Sequence, residues 1–327
     1  MTPCKKYIIC TCPGGLCNRL KCFVSCSRLS KKMNRKLLLY WPENKALNCR
    51  FDDLFENKIS EVKLDFLKSL KKEEYDFYPE NINKFKESKK KYIITDTWRF
   101  ALFESDIVEK KAKLKNSLDN FSIDHENQDS PKLIKDELIS EINKLKIKKS
   151  IIGKVNNFIK KKKLNNFVGV HIRRGDFVNN QGLDSVSQVS DFVEELEKEK
   201  YAGLKIFLAT DSKEVEIEFV KIFGKRLILF DKNPVNRESK ESIVESLIEL
   251  IILSKSKIIL GTFESTFSEF SWWLSKGKSK IKIIINQENL KKLEEKRKME
   301  NRMDKKIIFK IKRTILKLMK KAPLFYD

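Results

Sequence analysis

Two adjacent arginines form the clearest chemical signal in the sequence. They lie in the segment His171-Ile-Arg-Arg-Gly-Asp176, directly after an apolar, β-prone run. A guanidinium binds two phosphate oxygens at once and keeps its charge at physiological pH. Arg173 and Arg174 therefore predict a site for a phosphate-bearing ligand. Two structural roles remain open, because Arg174 can pair with Asp176 and His171 can be an imidazole satisfied inside a core.

Polar residues also follow the other β-prone runs of the second half. Asp211 and Ser212 follow one run, and Gly261-Thr-Phe-Glu-Ser-Thr266 follows another. Hydroxyl groups such as those of Ser265 and Thr266, placed at a helix start, can seat an anion together with backbone N–H groups. Asp211, Ser265 and Thr266 can equally be plain helix caps. Ligands of parallel sheets bind at the carboxyl ends of the strands, so these residues are predicted to converge with the arginines.

A glycine pair near the N-terminus offers a second place for an anion. Gly14 and Gly15 separate the β-prone run Tyr7–Cys12 from a helical spacing that begins at Leu16. Backbone N–H groups at such a helix start can contact a phosphate. The spacing is neither that of a Walker loop nor that of a dinucleotide fingerprint. Alone, the pair does not identify a ligand.

These residues need a frame of strands and helices to position them. The first forty residues predict a strand, a helix and a second strand at Lys36–Trp41. A further strand is predicted at Tyr92–Trp98, and Leu133–Phe158 carries helical periodicity. After a domain boundary near residue 165, five β-prone runs alternate with helical patterns, at 167–172, 204–210, 226–230, 257–261 and 281–285. This alternation predicts an α/β fold with a parallel, doubly wound sheet.

Composition limits the class of protein. The 327 residues suffice for two domains, and 69 Lys and Arg against 46 Asp and Glu give a formal charge of +23. The excess indicates either a lysine-covered surface or an anionic partner. The most apolar stretch, Leu247–Leu260, is interrupted by charged residues, so no membrane-spanning helix is predicted, and the N-terminus does not resemble a secretory signal. Seven cysteines, all before residue 50, favour a reducing compartment, and we expect a cytoplasmic protein.

The sequence predicts no metal site. The cysteine spacing, from Cys10 and Cys12 through Cys17 and Cys22 to Cys26, matches no zinc or ferredoxin pattern. Cys22 and Cys26 share a face of the predicted helix and are predicted to be small buried hydrophobic residues. No Asp-x-Asp pair stands at a strand end, so arginine is predicted to take the place of a metal cation.

Four segments in the same order resemble motifs of a fucosyltransferase superfamily that includes α1,2-, α1,6-, protein O- and nodulation fucosyltransferases. They are Gly14-Gly-Leu-Cys-Asn-Arg-Leu20, His171-Ile-Arg-Arg-Gly-Asp176, Ala209-Thr-Asp-Ser212 and Gly261-Thr-Phe-Glu-Ser-Thr-Phe267. The resemblance spans both predicted domains but leaves residues 60–130 uncovered. It implies a GT-B architecture, in which two Rossmann-like domains face a cleft that holds GDP-fucose. Residues 1–165 would then be the acceptor-side domain and 166–287 the GDP-sugar-binding domain.

The resemblance also implies roles for individual residues. Arg173 corresponds to an arginine on the β-phosphate of GDP, with Arg174 beside it. His171 and Asp211 correspond to residues that contact guanine. The remaining substrate-binding positions are the diphosphate contacts Ser265 and Thr266, the loop residues Gly14, Gly15 and Asn18, and the cleft residue Arg237.

The implied reaction is inverting transfer of L-fucose from GDP-fucose to a glycan hydroxyl, with no cofactor. Arg173 would stabilise the leaving diphosphate, and Asp176 is the carboxylate nearest to the arginines in sequence, in either a catalytic or a structural role. Some α1,6 relatives have a glutamate base where this chain has Gln181, so the acceptor and the base remain open. The alternatives are a GT-B enzyme for another nucleotide sugar and a non-catalytic basic protein that binds RNA or an anionic surface.

Charge and periodicity make separate predictions about macromolecular partners. The lysine runs Lys89–Lys91 and Lys160–Lys163 lack interleaved aromatic residues, so no nucleic-acid partner is expected. Residues 288–327 are predicted to form a basic helical tail. Within it, residues 305–321 hold eight basic residues, no acidic ones and an apolar stripe at helical spacing. This pattern predicts peripheral contact with an anionic membrane, or alternatively a stripe packed back on the protein.

Overall fold

Two parallel sheets form the frame of the protein. The computed structural model describes residues 5–11, 14–77, 88–95, 132–175, 183–233, 236–296 and 298–299. Hydrogen bonding orders the first sheet β2-β1-β4-β3 and the second β7-β6-β5-β8-β9, with every strand pair parallel. The predicted α/β class with a parallel, doubly wound sheet is therefore confirmed.

The first sheet is built from short strands that the first half of the chain supplies. Its strands are β1 (Tyr7–Cys10), β2 (Lys36–Leu39), β3 (Tyr75–Phe77) and β4 (Tyr92–Thr95). The helices of this half are α1 (Leu16–Lys32), α2 (Phe51–Leu54), α3 (Leu64–Ser69), α4 (Lys132–Asn143) and α5 (Lys149–Lys162). Alternate residues of β1 face opposite sides, so Ile8 and Cys10 join one core and Ile9 joins another.

The second sheet has three longer strands at its centre that are buried almost throughout. Its strands are β5 (Phe167–Ile172), β6 (Lys205–Thr210), β7 (Leu227–Leu229), β8 (Ile258–Thr262) and β9 (Lys280–Ile284). Its helices are α6 (Leu183–Val186), α7 (Val189–Leu196), α8 (Lys213–Phe223), α9 (Lys240–Leu253) and α10 (Thr266–Leu274), with 3-10 turns at Glu199–Tyr201 and Gly224–Arg226. Residues 287–296 are helical as well. Helices on both faces explain why these strands are almost continuously apolar in sequence.

The structure divides the periodic stretch Leu133–Phe158 into two helices. Helix α4 ends at Asn143, and α5 begins at Lys149. Between them the backbone bonds with residues that follow α2: Glu56 N donates to Lys146 O at 2.7 Å, and Lys148 N donates to Leu54 O at 3.0 Å. These pairings replace helical hydrogen bonds, so tertiary contact overrides the local periodicity.

The main apolar core continues from one sheet to the other. It joins Ile8 and Leu20 of the first half to Phe207, Leu247 and Trp273 of the second. The opposite face of the second sheet packs separately, with Val168, Val170 and Leu208 against α7 and α8. Helices α1, α9 and α10 therefore lie within one core.

A buried ion pair crosses the same boundary. Lys21 Nζ of α1 lies 2.6 Å from Glu269 Oε2 of α10, and both side chains are about 2% exposed or less. Charges this deeply buried require pairing, because an isolated one would lose its hydration without compensation. The pair fixes the position of α1 relative to α10.

Two predictions on membranes have different outcomes here. Among the residues that the structure describes, no helix combines the length and the hydrophobicity needed to cross a bilayer. The amphipathic tail at 305–321 lies outside the described residues, so its membrane contact remains a prediction.

Candidate active site

The end of β5 presents Arg173 at the edge of the second sheet. Thr262, at the end of the neighbouring strand β8, fixes its backbone: Thr262 Oγ1 accepts from Arg173 N at 2.9 Å and donates to His171 O at 2.9 Å. The Arg173 side chain is 20% exposed. A buried strand thus fixes the main chain while the guanidinium remains accessible from the sheet edge.

Asp211, at the end of β6, binds both arginine residues. Its Oδ2 lies 2.9 Å from Arg173 Nη1, and its Oδ1 accepts from Arg174 N at 2.8 Å. A Cβ at Gly175 would lie 2.6 Å from Asp211 Oδ2, so glycine is what permits this approach. The cap of α8 is Ser212, whose side chain accepts from Val215 N, and the suggestion that Asp211 is a plain cap is therefore wrong.

His171 is enclosed behind the arginines. Its Nδ1 lies 2.8 Å from Ser268 Oγ, and its ring stacks on Phe267 with centroids 4.6 Å apart. Burial, reinforced by the charges of Arg173 and Lys232, lowers the pKa of His171 well below 6.5, so the imidazole is neutral at pH 7. The geometry matches the satisfied core imidazole that the sequence left open, and the guanine contact remains a prediction.

Ser265 and Thr266 begin α10 beside this imidazole. Ser265 is 3% exposed and occupies the N-cap position, but its side chain makes no cap hydrogen bond. A capping hydroxyl is therefore not what places serine here. The turn before it carries a positive φ of 53° at Glu264 and brings Gly261 against Ser268. This close packing aligns the start of α10 with the end of β5.

The glycine pair at the start of α1 is anchored by an arginine that sequence reasoning missed. Gly14 has φ +78°, and its carbonyl accepts from Arg19 Nε at 2.8 Å. Arg19 is fully buried, lies over the Trp41 ring at 5.3 Å and also donates to Asn44 Oδ1. Asn18 Oδ1, buried in the same turn, has no hydrogen-bond partner among the described residues. The only sequence signal for this role of Arg19 was the position of a basic residue one turn after the glycine pair.

The first turn of α1 lies near the Arg173 end of the second sheet. Burial raises the pKa of the Cys17 thiol strongly, and the charges that act on it are those of Glu269, Lys21 and Arg173. The influence of Arg173 on Cys17 indicates that the first turn of α1 lies close to that arginine, and a contact of the glycine loop with the diphosphate remains a prediction. Arg237 lies at another contact between the two halves, where its carbonyl accepts from Asn48 N at 2.8 Å.

A second buried ion pair lies behind the site and was not predicted. Lys232 Nζ contacts both carboxylate oxygens of Glu249, at 2.7 and 2.8 Å, and donates to Thr210 O at 2.7 Å. Burial raises the pKa of Glu249 to about 7, although Lys232 opposes this shift. The lysine follows β7 and the glutamate lies on α9, so only the fold brings them together.

Two residues of the predicted chemistry cannot be placed. Asp176 and Gln181 lie outside the described residues, and with them the suggested pairing of Arg174 with Asp176. The described site therefore consists of Arg173, Arg174 and Asp211, flanked by the starts of α10 and α1. It can bind an anionic, phosphate-bearing group at the edge of the second sheet.

Comparison with solved structures identifies the architecture. NodZ from Bradyrhizobium, a fucosyltransferase, matches with a TM-score of 0.54 at 13% identity, over 82% of this chain and 92% of that one. FUT1 from Arabidopsis thaliana, in complex with GDP, matches with a TM-score of 0.53 at 15% identity, over 83% and 69%. POFUT1 in complex with GDP gives 0.50 at 15% identity, over 87% and 99%. The predicted GT-B fold of fucosyltransferases is thus confirmed.

Sequence comparison places the chain more narrowly. No curated protein matches it significantly. The model of one family, described as GDP-fucose protein O-fucosyltransferase, does match, over residues 7–274. That span contains both sheets except β9, as well as Arg173, Asp211, the glycine loop and the start of α10. The chain therefore belongs to the GDP-fucose protein O-fucosyltransferase family and is a fucosyltransferase, not a non-catalytic basic protein.

Proposed function

We propose that the protein transfers L-fucose from GDP-fucose to a glycan hydroxyl with inversion at the anomeric carbon. The observation that carries the proposal is Arg173, fixed by Asp211 and Thr262 at the edge of the second sheet. NodZ, which shares the fold, is described as an α1,6-fucosyltransferase in structures with GDP and with GDP-fucose. An α1,6 linkage joins fucose to a sugar hydroxyl, and this supports a glycan as the acceptor for the present protein.

Arg173 would act on the leaving group. As the bond from fucose to phosphate breaks, negative charge develops on the β-phosphate, and a preorganised cation stabilises that charge more than the ground state. Asp211 orients the Arg173 guanidinium through an ion pair of 2.9 Å, at the sheet edge where this proposal places the diphosphate. A guanidinium suits that ligand because it can bind two phosphate oxygens at once.

The N-terminal loop would contribute from the opposite side. Gly14 and Gly15 place backbone N–H groups at the start of α1, where the helix dipole favours an anion. Asn18, one turn further on, has a buried amide oxygen without a partner among the described residues. Because the Arg19 side chain holds the Gly14 carbonyl, this loop is set before a donor binds.

We propose that no metal or other cofactor takes part in the transfer, because the arginines neutralise the diphosphate. In this proposal a carboxylate activates the acceptor, and the candidate is Asp176, which follows Arg173 and Arg174 closely in sequence. An Asp176→Asn variant that keeps donor affinity but loses transfer would support that role. Unchanged transfer by the variant would assign Asp176 to structure.

The experiment is a donor panel assayed with the whole chain. Hydrolysis and transfer are measured for GDP-fucose, GDP-mannose, UDP-glucose and UDP-N-acetylglucosamine, with glycan and peptide acceptors, and NMR of the product assigns the anomeric configuration. We expect turnover with GDP-fucose alone, an inverted product and equal rates in EDTA and in Mn²⁺. Turnover with a different donor would contradict the assignment of GDP-fucose, and transfer only to peptide would contradict the glycan acceptor. A rate that EDTA abolishes and Mn²⁺ restores would contradict the metal-independent reaction.

A further inference from the structure

Three cysteine sulfurs meet between β1 and α1. Cys10 is the last residue of β1, and Cys22 and Cys26 lie one turn apart on α1. The Sγ atoms of Cys10 and Cys22 are 3.4 Å apart, those of Cys22 and Cys26 are 4.0 Å apart, and all three lie within 4.8 Å of one another. The three side chains are fully buried, and none is in a disulfide.

The distances fit a metal ion bound by thiolates. A Zn–S bond is about 2.3 Å, so two thiolates on a tetrahedral zinc lie about 3.8 Å apart. The observed separations bracket this value. The linear spacing gave no such signal, since metal motifs are recognised by ligand pairs close in sequence, whereas here a strand supplies one ligand and a helix two.

A buried hydroxyl beside the sulfurs supports the same reading. Thr95 pairs with Cys10 in the parallel register of β1 and β4, so both side chains face α1. Thr95 is fully buried, its Oγ1 has no hydrogen-bond partner among the described residues, and its carbonyl lies 4.0 Å from Cys22 Sγ. A buried hydroxyl without a partner is costly. It acquires one if a neighbouring sulfur becomes a thiolate or if an ion takes it as a further ligand.

We propose that Cys10, Cys22 and Cys26 form a site for one thiophilic cation with a filled d shell, Zn²⁺ or Cu⁺. Thiolate sulfur favours such ions over Mg²⁺, Ca²⁺ and Mn²⁺. Binding releases the three thiol protons to solvent and forms three metal–sulfur bonds, with no change of oxidation state. The ion fastens α1 to the end of β1, and its role is structural, because none of the three cysteines is among the residues that form the described site.

The test starts with the reduced full-length chain, freed of metal. It is dialysed against Zn²⁺ in one arm and against Cu⁺ with a reductant in the other, and bound metal is counted by mass spectrometry. Co²⁺ serves as the optical probe, because thiolate ligands give it a charge-transfer absorption in the near ultraviolet. We expect one ion per chain in at least one arm, that absorption with Co²⁺, and a higher Tm with metal.

Variants locate the site. Cys22→Ala and Cys26→Ala should each lose the bound ion and the cobalt absorption, whereas Cys49→Ala, which removes another buried cysteine of the same half, should keep both. Circular dichroism checks folding, and two cluster variants are used so that one unfolded protein does not end the test. Wild-type chain that retains neither Zn²⁺ nor Cu⁺, or a folded Cys22→Ala or Cys26→Ala variant that binds as wild type does, would overturn the proposal.

Discussion

At the scale of single residues, Asp211 is the centre of the site. Its two carboxylate oxygens take the side chain of Arg173 and the main chain of Arg174, so one group sets both the direction of the guanidinium and the path of the turn. A diphosphate that approaches Arg173 meets a cation whose orientation is already fixed. Such preorganisation is where most electrostatic catalysis originates.

Arg173→Ala should lower kcat by about 10²–10³, the usual cost of removing one donor aimed at developing charge. Arg173→Lys should recover only part of the loss, since an ammonium lacks the bidentate geometry. Arg174→Lys should be milder, because the contact of Arg174 with Asp211 is made by its main chain. The measurement is kcat and donor KM.

The matched control is Arg50→Ala, which removes an exposed arginine paired with Asp52 on the surface. It should leave both constants unchanged. A folded Arg173→Ala enzyme within about threefold of wild-type turnover would refute the leaving-group role of Arg173.

Gly175→Ala should disable the site without unfolding the protein. The new Cβ would lie 2.6 Å from Asp211 Oδ2, so the carboxylate must move away from Arg173. Displacement of a positioning group by about 1 Å can cost on the order of 10² in rate. Gly153→Ala is the control, since a Cβ there meets nothing within 4 Å on helix α5. Equal activity of the two variants would show that transfer does not depend on the Asp211–Arg173 contact.

His171 should make folding stability fall with acid. The unfolded imidazole binds a proton below pH 6.5 while the buried one stays neutral, so stability is full above pH 6.5 and is lost below it, by up to roughly 1.4 kcal/mol per pH unit. Glu249, with its pKa raised to about 7, has the opposite slope, since its contribution declines as pH rises from 4.5 to 7. The difference in unfolding free energy between wild type and a His171 variant, followed over pH, separates the contribution of His171 from that of Glu249.

Urea denaturation at pH 7.5, 6.5 and 5.5 provides the measurement. His171→Gln should lose less stability on acidification than wild type, and His125→Gln, which removes the other histidine of the chain, should follow wild type. If the unfolding free energies of wild type and His171→Gln fall equally with pH, the conclusion that His171 is a neutral, buried imidazole is contradicted.

Residues of the site differ in how far the sequence could predict them. Arg173, Arg174 and Asp211 directly follow apolar strands, and parallel strands bring their carboxyl ends together, so convergence was predictable. The role of Arg19 was not predictable, because its partner is the backbone carbonyl of Gly14. The Lys232–Glu249 pair was not predictable either, because its two side chains lie on distant elements. The sulfur cluster was missed for the same reason: Cys10 and Cys22 are 12 residues apart and meet only through strand–helix packing.

At the scale of elements, the Lys21–Glu269 pair adds a buried polar contact between α1 and α10 to the apolar core that they share. Lys21→Met or Glu269→Leu alone should destabilise the protein by about 3–5 kcal/mol, since each removes from a buried charge the opposite charge 2.6 Å away. The double variant should lose clearly less unfolding free energy than the sum of the losses of the two single variants. Urea denaturation of the four proteins completes the cycle.

The exposed pair Lys292–Glu288 offers the comparison, because solvent already screens its charges. Lys292→Met should leave the unfolding midpoint almost unchanged. Strictly additive effects at Lys21 and Glu269 would show that the buried pair is not coupled.

Strands were easier to predict than helices in this chain. Sustained β-branched and apolar runs located β5 and β6 almost to the residue, because both faces of those strands are buried. Strand β3 and helices α2 and α3 were not predicted, as they are too short for a period to show. The break between α4 and α5 depends on backbone bonds to residues 54–57, which no local pattern encodes.

At the scale of the whole molecule, the formal charge of +23 is distributed unevenly enough to test. Residues 305–321 carry eight basic residues and no acidic ones, and each near an anionic bilayer contributes about 1 kcal/mol. Truncation after Glu300 should therefore abolish sedimentation with anionic liposomes. As a control, the full chain should not sediment with neutral vesicles. If the truncated chain sediments with anionic vesicles as the full chain does, residues 305–321 are not the membrane-binding segment.

The shared core has a thermodynamic consequence for donor binding. Leu20 on α1 and Trp273 on α10 belong to one apolar cluster, so the core itself holds these two helices together. An enzyme whose halves must first swing together loses part of its affinity to the rarity of the closed state. Because a shared core opposes such a movement, we expect free GDP, without its sugar, to retain most of the affinity of the donor and to act as a strong product inhibitor.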